Sequence, residues 1–165
     1  MTRIQRKICL LGATSVGKTS LVRRFVESVF SERYQATIGV KIDRKVVQRD
    51  DTEVSLAIWD LQGSDELERV RASYLRGASG VLIVADGTRL ETLTMAEAVR
   101  RDVTSAIGPA PTLLLLNKHD LTDQWQVPPT ALANWSDVDI LHTSAKTGAG
   151  VEQAFLTLVD KLIGS

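Results

Sequence analysis

Apolar residues along this chain follow two different periods. Four segments are largely apolar for the length of a buried strand, which predicts strands over Arg6–Leu11, Gly80–Asp86, Thr112–Asn117 and Val138–His142. Elsewhere apolar residues recur at helical spacing, which predicts helices from Ser20 to about Val29 and over Ser64–Arg76, Glu91–Ile107, Pro128–Trp135 and Gly150–Ile163. Buried strands that alternate with helices predict an α/β fold, in which helices cover both faces of a mostly parallel sheet.

The region between the first helix and the next buried strand has the pattern of a β-hairpin. Apolar and polar residues alternate over Val40–Val47 and again over Val54–Trp59, and Asp50-Asp51 marks the turn between them. The polar segment Phe30–Gly39 precedes the hairpin and has no clear period. We predict that it is a loop, and loops of this length often carry function.

The composition limits the classes of protein to which the chain can belong. Its 165 residues suffice for one domain, residues 1–165, that buries its own core. Twenty Lys and Arg balance twenty Asp and Glu, so no net field attracts nucleic acid or an anionic membrane. No apolar segment reaches membrane-spanning length. A single cysteine, Cys9, excludes an internal disulfide and suits a reducing, cytoplasmic compartment.

One segment carries a phosphate-binding pattern. Gly12–Thr19 reads Gly-Ala-Thr-Ser-Val-Gly-Lys-Thr, which has the spacing of a P-loop, and it joins the first predicted strand to the first predicted helix. The start of that helix directs backbone N–H groups and the positive end of its dipole at the phosphates. Lys18 is then placed to contact the β- and γ-phosphates, and the Thr19 hydroxyl to bind Mg²⁺. The sequence therefore predicts a site for a nucleoside triphosphate of undetermined base.

Polar residues follow three further predicted strands. Asp60 ends the second strand of the hairpin, Asn117 ends the Leu-rich strand, and Ser144 follows the last strand. Ligands of parallel α/β sheets bind outside the carboxyl ends of the strands, so these residues are expected beside the P-loop. The carboxylate of Asp60 is expected to help hold Mg²⁺.

The segment Asn117–Asp120, Asn-Lys-His-Asp, predicts which base is bound. The carboxylate of Asp120 can accept both the ring N–H and the exocyclic amine of guanine, whereas adenine presents no such pair of donors on that edge. Asn117 is expected to brace the loop, and the Lys118 stem to lie across the base. The backbone N–H of Ala145 is expected to meet the guanine carbonyl oxygen.

Five motifs together resemble those of the Ras superfamily of small GTPases. They are Gly12–Thr19, Thr37-Ile38-Gly39, Trp59-Asp60-x-x-Gly63, Asn117-Lys118-x-Asp120 and Ser144-Ala145-Lys146, and they span nearly the whole chain in the family's order. The tryptophan before Asp60 makes the Rab-like branch the most similar. The resemblance implies a P-loop NTPase fold with a six-stranded sheet, one antiparallel strand (Val40–Val47) and five helices.

The resemblance also implies the ligands, which would be GTP or GDP with Mg²⁺. The residues expected to contact the nucleotide are Thr14, Ser15, Val16, Gly17, Lys18, Thr19, Ser20, Phe30, Tyr34, Thr37, Gly63, Asn117, Lys118, Asp120, Ser144, Ala145 and Lys146. Those expected to hold Mg²⁺ are Thr19, Thr37 and Asp60. Phe30 would cover the guanine, Tyr34 would close over the phosphates, and Gly63 would donate its N–H to the γ-phosphate. Loss of the γ-phosphate would then relax residues 32–39 and 61–76.

The chain departs from the family pattern where the catalytic glutamine is expected. Ser64 stands at that position, in the run Asp60-Leu61-Gln62-Gly63-Ser64, and a serine is too short to orient the attacking water. Besides Lys18, Thr37 and Gly63, the catalytic candidates are therefore Gln62 and Ser64. Three alternatives stay open: hydrolysis is very slow without a partner, a partner supplies a glutamine and an arginine, or Gln62 reaches the water. Thr14, where many relatives have glycine, would crowd the γ-phosphate.

Two functions follow from this pattern. One is a GTP-dependent switch with slow hydrolysis, and the other is a GTP-binding interaction module or scaffold with negligible hydrolysis. Asn117–Asp120 argues against a third, a P-loop kinase or ATPase. The expected partners are effectors, exchange factors and activating factors, which would bind a monomer at residues 32–47 and 61–76. The final residues carry no cysteine, so no lipid anchor is expected in this chain, and a peripheral membrane location would need a further tail.

Overall fold

The structure, a computed structural model, describes residues 1–27, 32–35, 40–61 and 72–164, with the backbone alone for 32–35. Its strands are β1 (Thr2–Gly12), β2 (Glu32–Gln35), β3 (Val40–Arg49), β4 (Thr52–Leu61), β5 (Gly80–Asp86), β6 (Thr112–Asn117) and β7 (Asp139–His142). Its α-helices are α1 (Lys18–Val26), α2 (Ala72–Leu75), α3 (Leu90–Ile107) and α4 (Val151–Ile163), and 3₁₀ segments cover Thr122–Gln124 and Pro129–Trp135. None of these described helices is both long and apolar enough to cross a membrane.

The strands form one sheet in the order β2-β3-β4-β1-β5-β6-β7. From β4 to β7 all neighbours are parallel, and β3 is antiparallel to the strands on both of its sides. The expected six-stranded sheet with one antiparallel strand is confirmed, and β2 extends it at its edge. The interpretation of residues 30–39 as loop throughout was wrong for Glu32–Gln35. An edge strand offers unpaired N–H and C=O groups, so a neighbouring segment can pair with it without any hydrophobic period.

The central strands are apolar on both faces because helices cover both. On one face Ile8 and Leu10 pack with residues of α1 and α4, where the rings of Phe25 and Phe155 stack with centroids 4.1 Å apart. On the other face Cys9 and Leu11 pack with residues of α3. A strand buried on both faces loses the alternation of a half-buried strand.

The two hairpin strands are longer than predicted, Val40–Arg49 and Thr52–Leu61, and two other boundaries were wrong by three or four residues. The first helix was expected to reach about Val29 but ends at Val26, because Glu27 leaves the helical conformation (φ −82°, ψ 54°) and the Phe25 carbonyl accepts a hydrogen bond from Lys45 Nζ at 2.5 Å. Strand β1 begins at Thr2, four residues before the expected start. Its polar first residues pair with β4, beginning opposite Thr52, so backbone hydrogen bonds extend the strand without burial.

The parallel strands bring the predicted motifs to one edge of the sheet. The carboxyl ends of β1, β4, β5, β6 and β7 lie side by side in the sheet order. The loops that leave these ends therefore form a common rim, on which the candidate site is built. The helix predicted over Ser64–Arg76 lies partly outside the described residues. Within them, α2 covers Ala72–Leu75.

Candidate functional site

Two glycines of the P-loop allow other groups to approach it closely. Gly12 has φ 151°, and a Cβ there would lie 2.3 Å from the carbonyl oxygen of Val84 on β5. Gly17 has φ 103°, and a Cβ there would lie 2.3 Å from Nδ2 of Asn117. Val84 and Asn117, the latter in the segment predicted to read the base, thus approach the loop closely at positions that only glycine accommodates.

The side chain of Lys18 folds back over the loop that precedes it. Its Nζ donates hydrogen bonds to the carbonyl oxygens of Gly12 and Ala13, both at 3.0 Å, and the residue is only 6% exposed. Burial lowers the pKa of this ammonium below its ordinary value, while the negative charge of Asp60 opposes the shift. The ammonium therefore lies inside the loop, where a phosphate would be held.

Thr19 and Asp60 meet where Mg²⁺ is expected. The Thr19 hydroxyl donates to Oδ2 of Asp60 at 2.5 Å, and Asp60 is 1% exposed. The second carboxylate oxygen, Oδ1, is buried with no hydrogen-bond partner among the described residues. A buried carboxylate oxygen without a donor is costly, and Mg²⁺ prefers oxygen ligands. The donor set therefore fits a magnesium ion.

Asn117 joins the P-loop to the segment after β7. Its Nδ2 donates to the Val16 carbonyl at 2.9 Å, and its Oδ1 accepts from the Thr143 hydroxyl at 3.1 Å and from the Ala145 N–H at 3.3 Å. The residue is 2% exposed. The Ala145 N–H is also the group predicted to meet the guanine carbonyl oxygen. Asn117 Oδ1 is therefore an alternative acceptor for it within the protein.

Lys118 and Asp120 both belong to the loop after β6, but they contact different neighbouring segments. Lys118 has φ 68°, and its Nζ donates to the Ser15 carbonyl at 3.1 Å and pairs with Oδ2 of Asp86 at 2.8 Å. Oδ1 of Asp120 accepts from the Ser144 hydroxyl at 2.8 Å. The loop after β6 is thus hydrogen-bonded to the P-loop on one side and to the segment after β7 on the other.

Asp86, at the end of β5, was missed by the sequence analysis. Its Oδ1 accepts from the N–H and hydroxyl of Thr88, and its Oδ2 accepts from Arg89 Nε and Lys118 Nζ. Burial alone would raise the pKa of Asp86, but the hydrogen bonds from Lys118, Thr88 and Arg89 lower it to about 2. The available signal was its place at the end of an apolar strand, the same signal that identified Asp60 and Asn117.

Arg24 on α1 was also missed. Its Nε donates to the Ala145 carbonyl at 3.1 Å, and its Nη2 donates to the Lys146 carbonyl. The first helix therefore helps to fix the segment after β7. No local pattern distinguishes Arg24 from its neighbour Arg23, because the contact depends on how α1 packs beside residues more than 100 positions away.

The remaining predicted contacts divide into two groups. Thr14 and Ser20 are exposed residues of the P-loop and of α1, on the same rim as the residues above. Six predicted residues have no described side chain. They are Phe30, Tyr34, Thr37, Gln62, Gly63 and Ser64. For Tyr34 the structure describes the backbone alone, and the other five lie outside the described residues.

Comparison with known proteins gives one consistent result. A sequence model of the Ras family matches residues 7–164. The chain is 34% identical to the Ras-related protein Rab-7b of Bos taurus and 33% identical to Rab-7b of Homo sapiens, in both cases over 98% of this chain and 84% of the relative. It is 33% identical to the Ras-related protein RABD1 of Arabidopsis thaliana, over 94% of this chain and 78% of that protein.

Proposed function

Because this chain belongs to the Ras family of small GTPases, in its Rab-like branch, we propose that it is a switch that binds GTP or GDP with Mg²⁺ and hydrolyses GTP slowly by itself. One observation carries the proposal. The Asn117–Asp120 segment is hydrogen-bonded to the P-loop through Val16 and Ser15 and to the segment after β7 through Thr143 and Ser144. A phosphate-binding loop and a guanine-binding loop are thereby held as one unit.

The chain's own residues supply the expected contacts. Lys18 would turn its ammonium from the carbonyls of Gly12 and Ala13 to the β- and γ-phosphates, which gives it a stronger acceptor. The Thr19 hydroxyl and the free oxygen of Asp60 would hold Mg²⁺, together with Thr37. When bound, Mg²⁺ neutralises the negative charge that develops on the phosphate oxygens.

The slow rate is proposed from the run Gln62-Gly63-Ser64. Ser64 replaces the residue that orients the attacking water in the family pattern, so positioning of the water would depend on a partner protein or on Gln62. We favour a partner-dependent rate. The alternative function, a GTP-binding scaffold with negligible hydrolysis, rests on the same serine.

Partner binding is proposed on the surfaces that would change with the nucleotide. These are residues 32–47 and 61–76, the two ranges that the family resemblance assigns to nucleotide-dependent loops. Effectors, exchange factors and activating factors would bind there to a monomeric domain, residues 1–165. Such partners would distinguish GTP from GDP because the γ-phosphate orders these loops.

Nucleotide competition tests the base assignment. Wild-type protein should bind fluorescent GDP and release it to GTP but not to ATP, and Asp120→Asn should shift preference toward xanthine nucleotides, because an amide can donate to the carbonyl that replaces the guanine amine. Lys18→Ala should lose tight binding, whereas Lys161→Ala, which removes an exposed ion pair with Asp139, should not. Unchanged guanine selectivity in Asp120→Asn would refute the assignment.

Single-turnover hydrolysis separates the switch from the scaffold. We expect slow turnover by the wild type and a faster rate for Ser64→Gln, with Gln62→Ala unchanged. If Ser64→Gln does not accelerate hydrolysis and Gln62→Ala stops it, Gln62 orients the water. If no variant hydrolyses GTP while all bind it, the scaffold function is the correct one.

A further inference from the structure

Three consecutive carbonyl groups of the P-loop are each held by a side chain from another segment. The Thr14 oxygen accepts from Arg89 Nη2 at 3.0 Å, the Ser15 oxygen from Lys118 Nζ at 3.1 Å, and the Val16 oxygen from Asn117 Nδ2 at 2.9 Å. Lys118 and Asn117 belong to the base-reading segment. Arg89 belongs to no motif of the sequence and directly precedes α3.

Holding a carbonyl also orients the next N–H group. A peptide unit is planar and, throughout the described residues, trans, so the carbonyl of one residue and the N–H of the following residue point in opposite directions. Arg89 pulls the Thr14 oxygen to one side and thereby turns the Ser15 N–H to the other. Ser15 keeps a left-handed φ of 65°, which a residue with a side chain adopts only when its surroundings enforce it.

Asp86 fixes the arginine that makes this contact. Oδ2 of Asp86 accepts from Arg89 Nε at 3.1 Å, while Nη2 of the same planar guanidinium reaches Thr14. Asp86 is 1% exposed, and its other oxygen is held by Thr88. A guanidinium is rigid, so an anchor on one edge sets the direction of the donors on the other edge.

We propose that Arg89, anchored by Asp86, is a positioning residue of the phosphate site, because it fixes the Thr14 carbonyl and so presents the Ser15 N–H to the phosphates. The proposal rests on the proposed function, since it requires a nucleotide in the P-loop. Arg89, which precedes α3, would then help to retain the nucleotide, although it belongs to none of the five sequence motifs.

The test compares Arg89→Ala and Arg89→Lys with Arg101→Ala, which removes an exposed arginine from α3, the helix that follows Arg89. Release of fluorescent GDP at fixed Mg²⁺ should be about tenfold faster in Arg89→Ala, equivalent to about 1.4 kcal/mol, in the range of one hydrogen bond to a charged group. Arg89→Lys should be intermediate, because an ammonium has no planar fork with which to serve Asp86 and Thr14 together. The ³¹P resonance of the β-phosphate in bound GDP should shift in Arg89→Ala and remain unchanged in Arg101→Ala.

The possible results distinguish a failure of the Arg89 inference from a failure of the proposed nucleotide-binding function. If wild type and Arg101→Ala fail to bind GDP, the proposed function itself fails. If both bind GDP and Arg89→Ala releases it at the wild-type rate with an unchanged ³¹P spectrum, Arg89 is not a positioning residue. A lower midpoint of unfolding in Arg89→Ala with an unchanged release rate would likewise overturn the inference, because the arginine would then only stabilise the fold.

Discussion

At the scale of single residues, two buried carboxylates at the ends of β4 and β5, the strands on either side of β1, have very different hydrogen-bond partners. Asp60 and Asp86 are each 1% exposed. Asp86 has donors on both oxygens, whereas Oδ1 of Asp60 has none among the described residues. A buried carboxylate oxygen demands a partner, and a fully hydrogen-bonded one has no capacity left for a ligand. This contrast supports the proposals that Asp60 would bind Mg²⁺ and that Asp86 positions Arg89.

The glycine at position 17 gives a residue-scale prediction. Gly17→Ala should destabilise the fold and also abolish tight GDP binding, because the new Cβ would collide with Asn117 Nδ2. Gly77→Ala is the matched control, since Gly77 also has a positive φ (80°) but has open space around its Cβ position. The control should lose about 1–2 kcal/mol of unfolding free energy and keep its affinity for GDP.

Chemical denaturation and GDP titration measure the two effects of these substitutions separately. Equal GDP affinity in both alanine variants would show that the approach of Asn117 to the P-loop does not shape the nucleotide site.

At the scale of elements, a cluster of three rings joins the loop after β6 to the end of β7. The cluster consists of His119, Trp125 and His142; the His119 ring lies 4.6 Å from that of His142 and 5.2 Å from that of Trp125, between centroids. His119 precedes Asp120, and His142 ends β7 just before Thr143, so the cluster lies between the two segments predicted to read the base. A change in its charge would act on both.

Stability is therefore expected to depend on pH through His142. Burial lowers the pKa of His142 below its ordinary value, and the positive charge of His119 lowers it further. The unfolded chain, in which the pKa is about 6.5, then binds more protons than the folded protein as the pH falls below neutrality. Acidification through this range should lower the midpoint of thermal unfolding, and His142→Gln should remove part of the dependence.

Asp86, with a pKa of about 2, stays ionised across the whole range, so its interactions do not contribute to this pH dependence. Parallel melts of wild type and His142→Gln at equal nucleotide concentration measure the difference. Identical pH profiles would show that His142 does not contribute.

At the scale of the whole molecule, the site exists only when the sheet is complete. The P-loop, Asp60, Asn117–Asp120 and the segment after β7 follow four strands spread over the chain, and hydrogen bonds from side chains join them. The unfolded chain cannot bring these segments together. A ligand of this site must therefore bind the folded state alone, and its binding must stabilise the fold.

Nucleotide should thus raise the stability of the protein in a specific way. GDP with Mg²⁺ at about 100 times its dissociation constant should add about 2.7 kcal/mol to the unfolding free energy. This corresponds to an increase of about 5–10 °C in the unfolding midpoint of a domain of this size. Chelation of Mg²⁺ should reverse part of the increase, and Asp60→Asn should be insensitive to the chelator.

Differential scanning fluorimetry with ATP at the same concentration provides the control, because ATP is expected to give no shift. An equal shift with ATP would contradict guanine specificity while leaving phosphate binding intact.

Much of this organisation was predictable because it is encoded locally. An apolar run such as Gly80–Asp86 or Thr112–Asn117 must be buried wherever it lies, and both strands have the predicted bounds. The P-loop spacing was equally readable, since Gly12 and Gly17 satisfy conformations that the backbone of that loop requires by itself. From these local signals alone the sequence determined the α/β class, the parallel sheet and the rim on which the site lies.

The tertiary structure decided the contacts that join distant segments. Arg89 carries no local mark that separates it from other surface arginines, and its role depends on Asp86 beside it and on Thr14, 75 positions away. The addition of β2 to the sheet edge and the early end of α1 likewise depend on neighbours in space. The physical reason is that spacing along a chain specifies backbone conformation and burial, whereas the partner of a polar side chain is fixed only once the sheet has placed its strands.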